Sequence, residues 1–394
     1  GNQEGREDEV HVNLRYAVPK CGNTRAKHFA AATLTTAEDD STQIDKPRPG
    51  RRRRPKRDLT LATCEDDGTQ VERATRRKRS VARRGMAQVD TPEFRSAFKD
   101  FCLNVNKIGV QGLLVEYATM RAQTQPIGSK PKVAFDANPQ KNRYKDVFCT
   151  DETRVVLSWP SGTNDYIHAN WVNGDVPKKF ICTQGPTENT VEDFWRMIWQ
   201  EKCKSIVMLC NITECGKKKC EQYWPEAGKP PVTLSGCNLK IRHVKSQNVE
   251  ENIFQTTLEL SLDDKKHTVE HIQWKDWPDR GVPPTNLSSF RLLMRVRKLT
   301  PIVVHCSAGI GRTGTIVGLD LLYTKLEKGV HVTLESVVRD LRKERHGSVQ
   351  TDAQYLYMHR ILIAVAENKR VITAADVQKF TTDYDIFCKS KGYL

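Results

Sequence analysis

The chain has 394 residues, with 63 lysines and arginines against 48 aspartates and glutamates, and a formal net charge of +15. This length fits one large domain or two ordinary ones, but 38% hydrophobic residues is low for a chain that is packed throughout. No stretch approaches 18 consecutive apolar residues and the start is polar, so we expect neither a transmembrane helix nor a signal peptide. Because the first residue is not methionine, a fragment or a processed product remains an alternative.

The excess positive charge is concentrated near the N-terminus. Residues 1–45 carry 5 basic and 8 acidic side chains, whereas residues 46–86 carry 15 basic and 5 acidic ones. We therefore expect a polar, disordered segment over 1–45 and a basic, low-complexity arm over 46–89. A globular domain is predicted over 90–370, followed by a C-terminal tail over 371–394 that contains an amphipathic helix.

The basic arm predicts an anionic partner. Its arginine-rich runs at 51–54 and 76–79 repel one another, and the nearby prolines oppose a helix. Nucleic acid, an importin for nuclear entry, or an anionic lipid surface would each suit residues 46–86, and a solvated linker is an equal alternative. Base stacking is not expected, because the arm has no interleaved aromatic residues.

Elements of regular structure are predicted from about residue 90 onwards. Thr91 and Pro92 are typical of a helix start, residues 130–165 are typical of loops, and Thr190 with Asp193 resembles a capping box. Buried strands are predicted at 205–210 and 301–305, and further strands within 232–243 and 253–274. Helices are predicted at 287–299, 313–326, 333–345 and 352–368, with Thr373 and Asp376 capping a last amphipathic helix. This interleaving predicts an α/β fold with a highly twisted mixed β-sheet flanked by helices.

The twelve cysteines indicate a reducing compartment. Several lie in apolar runs, as Cys182 does, and behave there as small buried hydrophobic residues. We therefore expect an intracellular, cytoplasmic location, with nuclear entry through the basic arm as the alternative. A zinc site is not expected in the cluster Cys203, Cys210, Cys215 and Cys220, because its spacing lacks a C-x2-C pair.

Residues 303–315 carry the chemistry. A strand ends at Cys306, glycines follow at 309 and 311, and a helix begins near Arg312. Backbone N–H groups of residues 307–312 and the helix N-terminus together make a cradle for an anion. The same field favours the thiolate form of Cys306, which is the nucleophilic form, and Arg312 can hold two oxygens at once. Because the lysine of a nucleotide-binding P-loop is absent, the loop is predicted to bind a phosphoryl group in order to attack it.

Residues 305–314 (HCSAGIGRTG) resemble the signature of the cysteine-dependent, tyrosine-specific protein tyrosine phosphatases, and the resemblance extends over about residues 93–370. Six further strings stand in family order, at 141–147, 165–170, 184–186, 222–225, 277–283 and 350–354. The resemblance implies the phosphatase fold and a non-receptor enzyme with one catalytic domain. It also implies phosphotyrosine-containing proteins as substrates, and neither a metal nor a cofactor.

The resemblance implies a role for individual residues. The catalytic set is the nucleophile Cys306, the phosphate clamp Arg312, the general acid and base Asp279, and the water-positioning Gln350. The substrate-binding set adds Ser307, Ala308, Gly309, Ile310 and Gly311 of the loop and Tyr144 and Asp146 of the substrate slot. The supporting set is His305, Thr313, Glu214, Lys219, Trp277 and Gln354.

Tyr144 would stack on the substrate ring and make a slot too deep for phosphoserine, while Asp146 would bind the peptide backbone. Among the supporting residues, His305 would orient Cys306, with an ordinary core histidine as the alternative. Thr313 would donate to the departing thiolate, and Trp277 would belong to a mobile lid. Glu214 would orient Arg312 and Lys219 would approach Asp279, with ordinary surface charges as the alternative. Arg342 and Arg345 would attract acidic peptides, unless they are plain helix charges.

Two positions depart from the family pattern. His168 replaces an asparagine that is usual under the substrate loop, and Arg280 replaces a histidine that usually follows the acid. Neither change removes a reacting group, so we predict activity. The alternatives are a weak phosphotyrosine-binding module without turnover, and a protein that associates with nucleic acid or membranes through the basic arm. The sequence does not indicate an oligomeric state.

Overall fold

The computed structural model describes residues 90–124, 130–275, 277–278 and 281–393. The segments predicted over 1–45 and 46–89 lie outside the described residues, as do Asp279 and Arg280. Over the described ranges, no helix combines the length and the apolarity that a membrane crossing requires.

Helices flank a central sheet. In chain order they are α1 (Pro92–Gln123), α2 (Val133–Ala137), α3 (Val191–Gln200), α4 (Ser288–Val296), α5 (Gly311–Glu327), α6 (Leu334–Glu344), α7 (Asp352–Asn368) and α8 (Gln378–Lys391). Short 3₁₀ turns occupy Pro139–Lys141, Glu188–Thr190 and Ala374–Val377. The predicted start of α1 is confirmed: Thr91 is the N-cap, its Oγ1 accepts from Phe94 N–H at 3.2 Å, and Pro92 follows.

The strands are β1 (Arg154–Val156), β2 (Tyr166–Val172), β3 (Phe180–Thr183), β4 (Ser205–Met208), β5 (Thr213–Glu214), β6 (Lys217–Lys218), β7 (Val232–Thr233), β8 (Lys240–Glu250), β9 (Ile253–Leu262), β10 (Lys265–Trp274) and β11 (Ile302–His305). Within the described ranges, nine of them form one sheet in the order β1-β2-β3-β11-β4-β10-β9-β8-β7, while β5 and β6 form a separate hairpin. The three central pairs, β3–β11, β11–β4 and β4–β10, are parallel, and the pairs on either side of them are antiparallel, so the predicted mixed α/β fold is confirmed.

Strand β11 lies in the middle of the sheet and carries the candidate site at its carboxyl end. It pairs in parallel with β3 on one side and with β4 on the other, so that Val303 faces Ile181 and Ile206. All four of its residues are buried. The loop after β11 therefore starts from a fixed point, and α5 follows directly behind it.

Three predictions of local structure need comment. Residues 130–165 are not loops throughout, since they contain α2 and β1. The capping box predicted at Thr190 and Asp193 is wrong, because a 3₁₀ turn precedes α3 and the box joins Thr187 to Thr190. The amphipathic C-terminal helix is confirmed as α8, and its Phe380 and Tyr384 are buried in the main core.

Candidate functional site

The site is built around the loop from Cys306 to Arg312, here called the phosphate loop. Cys306 is 5% exposed, and its Sγ accepts a hydrogen bond from Gly309 N–H at 3.2 Å. Gly309 has φ +73°, and an added Cβ would collide with the carbonyl of Thr183. Only glycine meets both demands, so the tight curl of the loop around the sulfur depends on this residue.

The anion cradle predicted at the start of α5 has a free helix terminus. The helix begins at Gly311, and no side chain of the described structure caps its N-terminus. The first N–H groups of a helix lack partners within it and carry a partial positive charge. The end of α5 is therefore available to an anion bound in the phosphate loop.

Arg312 is held by Glu214 of the β5–β6 hairpin. The two guanidinium nitrogens Nη1 and Nη2 each lie 2.7 Å from a carboxylate oxygen of Glu214, and Nη1 also donates to the Leu209 carbonyl at 2.7 Å. Arg312 is 2% exposed, so solvent screens this pair weakly. The bidentate contact fixes the plane of the guanidinium beside the phosphate loop.

Tyr144 lies at the mouth of the phosphate loop. Its hydroxyl is 2.8 Å from Ser307 Oγ, which donates in turn to the Lys219 carbonyl at 3.1 Å. Tyr144 and Lys219 are half-buried, and Asp146 is exposed. The structure thus brings the aromatic residue and the loop serine together at one rim of the site, and Asp146 follows Tyr144 two positions along the same segment.

Gln184 holds the backbone that carries Tyr144, a function that the sequence analysis did not assign. Its Oε1 accepts from Arg143 N–H at 2.9 Å, and its Nε2 donates to the Lys141 carbonyl at 2.8 Å. Arg143 adds bonds from its guanidinium to the carbonyls of Gly185 at 3.0 Å and Pro186 at 2.6 Å. The resemblance of residues 184–186 to a family string marks this segment in the sequence, but it does not predict this structural role.

Gln350 and Gln354 lie together against the start of α5. A Cβ added to Gly311 would stand 3.1 Å from Gln350 Oε1 and 3.0 Å from Gln354 Nε2. Gln354 is buried, and its Nε2 has no hydrogen-bond partner among the residues that the structure describes. The same holds for the buried hydroxyl of Thr313, which does not bond Cys306 in this structure.

His305 belongs to a buried row of polar rings. Its Nδ1 is 3.1 Å from the Cys306 carbonyl, and its Nε2 is 2.7 Å from the hydroxyl of Tyr223. That hydroxyl is also 2.9 Å from Nε2 of His271, and burial raises the pKa of Tyr223 well above its usual value. Burial, with His305 nearby, lowers the pKa of His271 to about 3. His305 thus touches the backbone of Cys306 and also lies in the core, and its orienting role stays a prediction.

Trp277 anchors the segment predicted to act as a lid. It is 1% exposed, and its ring centroid lies 4.9 Å from that of Trp274 and 5.9 Å from that of Tyr357. Its Nε1 donates to the Gly281 carbonyl at 3.3 Å, which ties the two ends of the turn together. Asp279 lies between them and outside the described residues, so its predicted contact with Lys219 stays a prediction.

Arg342 and Arg345 do not face a substrate, and the prediction that they attract acidic peptides is wrong. Arg342 is 8% exposed and donates to the carbonyls of Ser348 and Val349 at 2.9 and 3.0 Å. Arg345 is fully buried beneath the phosphate loop. Both guanidinium groups donate hydrogen bonds to backbone carbonyls and neighbouring side chains, because buried donors have no solvent to bond.

The described residues contain no group of three or more His, Cys, Asp and Glu side chains arranged as metal ligands. The site instead offers a thiol, a guanidinium, backbone N–H groups and a helix N-terminus, all suited to an oxyanion.

Comparison with known proteins adds to this geometry. The family model described as protein-tyrosine phosphatase matches residues 138–364. Human tyrosine-protein phosphatase non-receptor type 12 is 35% identical over 268 residues, covering 65% of this chain and 33% of that protein. Human non-receptor type 9 is 36% identical over 293 residues, covering 68% of this chain and 49% of that protein. The chain thus matches only about a third to a half of the length of these relatives.

The crystal structure of the catalytic domain of human non-receptor type 18 is also similar. It superimposes with a TM-score of 0.61 at 33% identity, covering 64% of this chain and 95% of that one. A related structure contains that phosphatase in complex with HER2 phosphopeptides. The family match covers more than half of this chain and contains the phosphate loop described above. The chain therefore belongs to the protein-tyrosine phosphatase family.

Proposed function

We propose that the protein hydrolyses phosphotyrosine in proteins through a cysteinyl-phosphate intermediate. The observation that carries the proposal is the phosphate loop itself: Cys306 Sγ lies 3.2 Å from Gly309 N, and Glu214 holds Arg312 beside it. Membership of the protein-tyrosine phosphatase family supports the same reaction.

In the first step, the Cys306 thiolate attacks phosphorus in line with the tyrosyl oxygen. The S–P bond forms as the P–O bond breaks, and Asp279 gives its proton to the departing tyrosyl oxygen. Arg312 and the loop N–H groups stabilise the charge on the three non-bridging oxygens. The products of this step are the dephosphorylated tyrosine and the cysteinyl phosphate.

In the second step, water attacks the phosphorus of the intermediate. Asp279, now a carboxylate, takes a proton from that water, and the P–S bond breaks to release inorganic phosphate and the thiolate. Gln350 positions the water, supported by Gln354, whose buried Nε2 lies near Gly311 and has no partner among the described residues. Thr313 supplies a hydroxyl without a partner in the same part of the structure, ready to donate to the departing sulfur.

Selectivity for phosphotyrosine would follow from the rim. Tyr144, half-buried and bonded to Ser307, walls a slot that a phosphoserine side chain is too short to cross. The exposed Asp146 would accept hydrogen bonds from a peptide backbone, and the phosphopeptide complexes of human non-receptor type 18 support a peptide substrate. We also propose an intracellular site of action, which the non-receptor relatives support.

The test is release of inorganic phosphate from a phosphotyrosine peptide by the full chain and two variants. Cys306→Ser should bind the peptide without turnover. Asp279→Ala should bind it while kcat falls by about 10²- to 10⁴-fold, because the leaving group loses its acid. Cys237→Ser, which changes a cysteine outside the phosphate loop, is the matched control and should retain wild-type turnover.

Three results would each contradict a part of the proposal. Wild-type turnover no faster than that of Cys306→Ser would remove the enzymatic function, and peptide binding alone would then favour a binding module. An unchanged kcat in Asp279→Ala would remove that residue as the acid. A phosphoserine peptide hydrolysed as fast as the phosphotyrosine peptide would contradict the deep slot.

A further inference from the structure

Arg345 determines which way the peptide groups of the phosphate loop point. Its Nε donates to the Gly309 carbonyl at 3.1 Å, and its Nη2 donates to the Ala308 carbonyl at 3.2 Å. In a trans peptide the C=O and the following N–H point in opposite directions. Holding the Ala308 carbonyl therefore turns Gly309 N–H towards the other side, where it donates to Cys306 Sγ at 3.2 Å.

Two side chains of β2 hold Arg345 in turn. Nη1 donates to Asn170 Oδ1 at 2.7 Å, and Nη2 donates to His168 Nδ1 at 3.2 Å. An Nδ1 that accepts a bond carries no proton, so the His168 proton stands on Nε2. Nε2–H then donates to the Val147 carbonyl at 2.8 Å. Burial, with the charge of Arg345, lowers the pKa of His168 to about 3, so the ring stays neutral.

The Val147 carbonyl belongs to the segment that carries Tyr144 and Asp146. Val147 closes a turn with Tyr144, since its N–H lies 3.5 Å from the Tyr144 carbonyl. One nitrogen of the His168 ring thus contacts the support of the phosphate loop, and the other contacts the support of the substrate rim. The imidazole is 2% exposed, so water does not replace either bond when it is lost.

We propose that His168 is a positioning residue that sets the placement of the Tyr144 segment relative to the phosphate loop, and thereby the affinity for phosphotyrosine peptides. This rests on the proposed function. The asparagine usual at this position in the family has an oxygen where histidine has Nδ1, but no atom that reaches as far as Nε2. It would keep the bond to Arg345 and leave the Val147 carbonyl without its partner.

Two substitutions in the full chain distinguish the contributions of the two hydrogen bonds that the His168 ring makes. His168→Asn should raise KM for a phosphotyrosine peptide about tenfold with kcat within about twofold, because only the rim loses a bond. His168→Leu removes both bonds and should lower kcat as well. His267→Asn is the matched control: its half-buried ring also bonds a backbone carbonyl, that of Cys203 at 2.7 Å, and its KM should not change.

Inhibition by inorganic phosphate distinguishes the loss of one bond from a general loss of stability, which would weaken phosphate and peptide binding together. Free phosphate contacts the phosphate loop and not the rim. Its inhibition constant should therefore be unchanged in His168→Asn and raised in His168→Leu. An unchanged peptide KM in His168→Asn, or a phosphate constant that rises as much as the peptide KM, would overturn the proposal.

Peptide binding distinguishes failure here from failure of the proposed function. The dissociation constant for the phosphotyrosine peptide is measured in Cys306→Ser, with and without His168→Asn, and needs no turnover. A tenfold higher dissociation constant in the double variant supports the role of His168 even if the wild type proves inactive. An unchanged constant overturns this role alone, whereas wild-type turnover no faster than that of Cys306→Ser overturns the proposed function alone.

Discussion

Replacing Glu214 with glutamine isolates the support of Arg312 from every group that reacts. The substitution keeps one oxygen for Nη1 and puts an NH₂ group against Nη2, so one of two bonds at 2.7 Å is lost. A hydrogen bond between charged groups contributes about 1.5–3 kcal/mol, and about 1.4 kcal/mol corresponds to a tenfold change. If the whole loss is expressed in the transition state, kcat/KM falls roughly 10- to 100-fold.

Steady-state turnover of a phosphotyrosine peptide measures this effect, and urea unfolding measures the accompanying change in stability. The matched control is Glu221→Gln, which removes a carboxylate paired with the exposed Lys218 and should leave kcat/KM within about twofold. A Glu214→Gln enzyme within twofold of wild type would refute the view that the guanidinium needs a bidentate partner.

Three more predictions concern the loop, the rim and the core. Gly309→Ala should lose at least about 100-fold in kcat/KM, because its added Cβ would collide with the carbonyl of Thr183. Gly347→Ala is the control: Gly347 also has φ +73°, but its added Cβ would lie 3.4 Å from the nearest side chain. That variant should retain activity and lose about 1 kcal/mol of unfolding free energy. Gln184→Glu removes the donor to Lys141 and should raise the peptide KM several-fold, and an unchanged KM would show that the rim needs no such support. Burial holds the pKa of three imidazoles at about 3 to 4, below the unfolded value of 6.5; they are His168, His271 and His359. Between these folded and unfolded pKa values, the unfolded state binds more protons than the folded state. The free energy of unfolding should therefore fall by about 2 kcal/mol per histidine when the pH is lowered from 7 to 5. Urea titrations at pH 7 and 5 check this, and His359→Phe should show a smaller fall.

The sequence predicts well what local pattern determines. The strand that ends at Cys306, the glycines, and the helix that follows are adjacent in the chain, so their spacing specifies the phosphate loop. Residues such as Glu214 and Arg312 meet across 98 positions, and only the family resemblance brought them together in advance.

Burial of charge was the part that the sequence did not reveal. Arg342 and Arg345 are predicted from the sequence to attract acidic peptides or to be plain helix charges, because a sequence does not show what packs against a helix. The structure puts loop carbonyls and β2 there, which turns two expected surface charges into internal supports. The capping box is also displaced by structure that the local pattern does not show. A 3₁₀ turn precedes α3, so the box joins Thr187 to Thr190 instead of Thr190 to Asp193.

The position of β11 between β3 and β4 has a consequence for native-state hydrogen exchange. Its four buried residues are hydrogen-bonded to neighbours on both sides, so their amides can exchange only when the sheet itself separates. Cys306 follows directly after this central strand. The Cys306 sulfur is thus carried at the end of a strand whose amides should exchange only when the centre of the sheet opens.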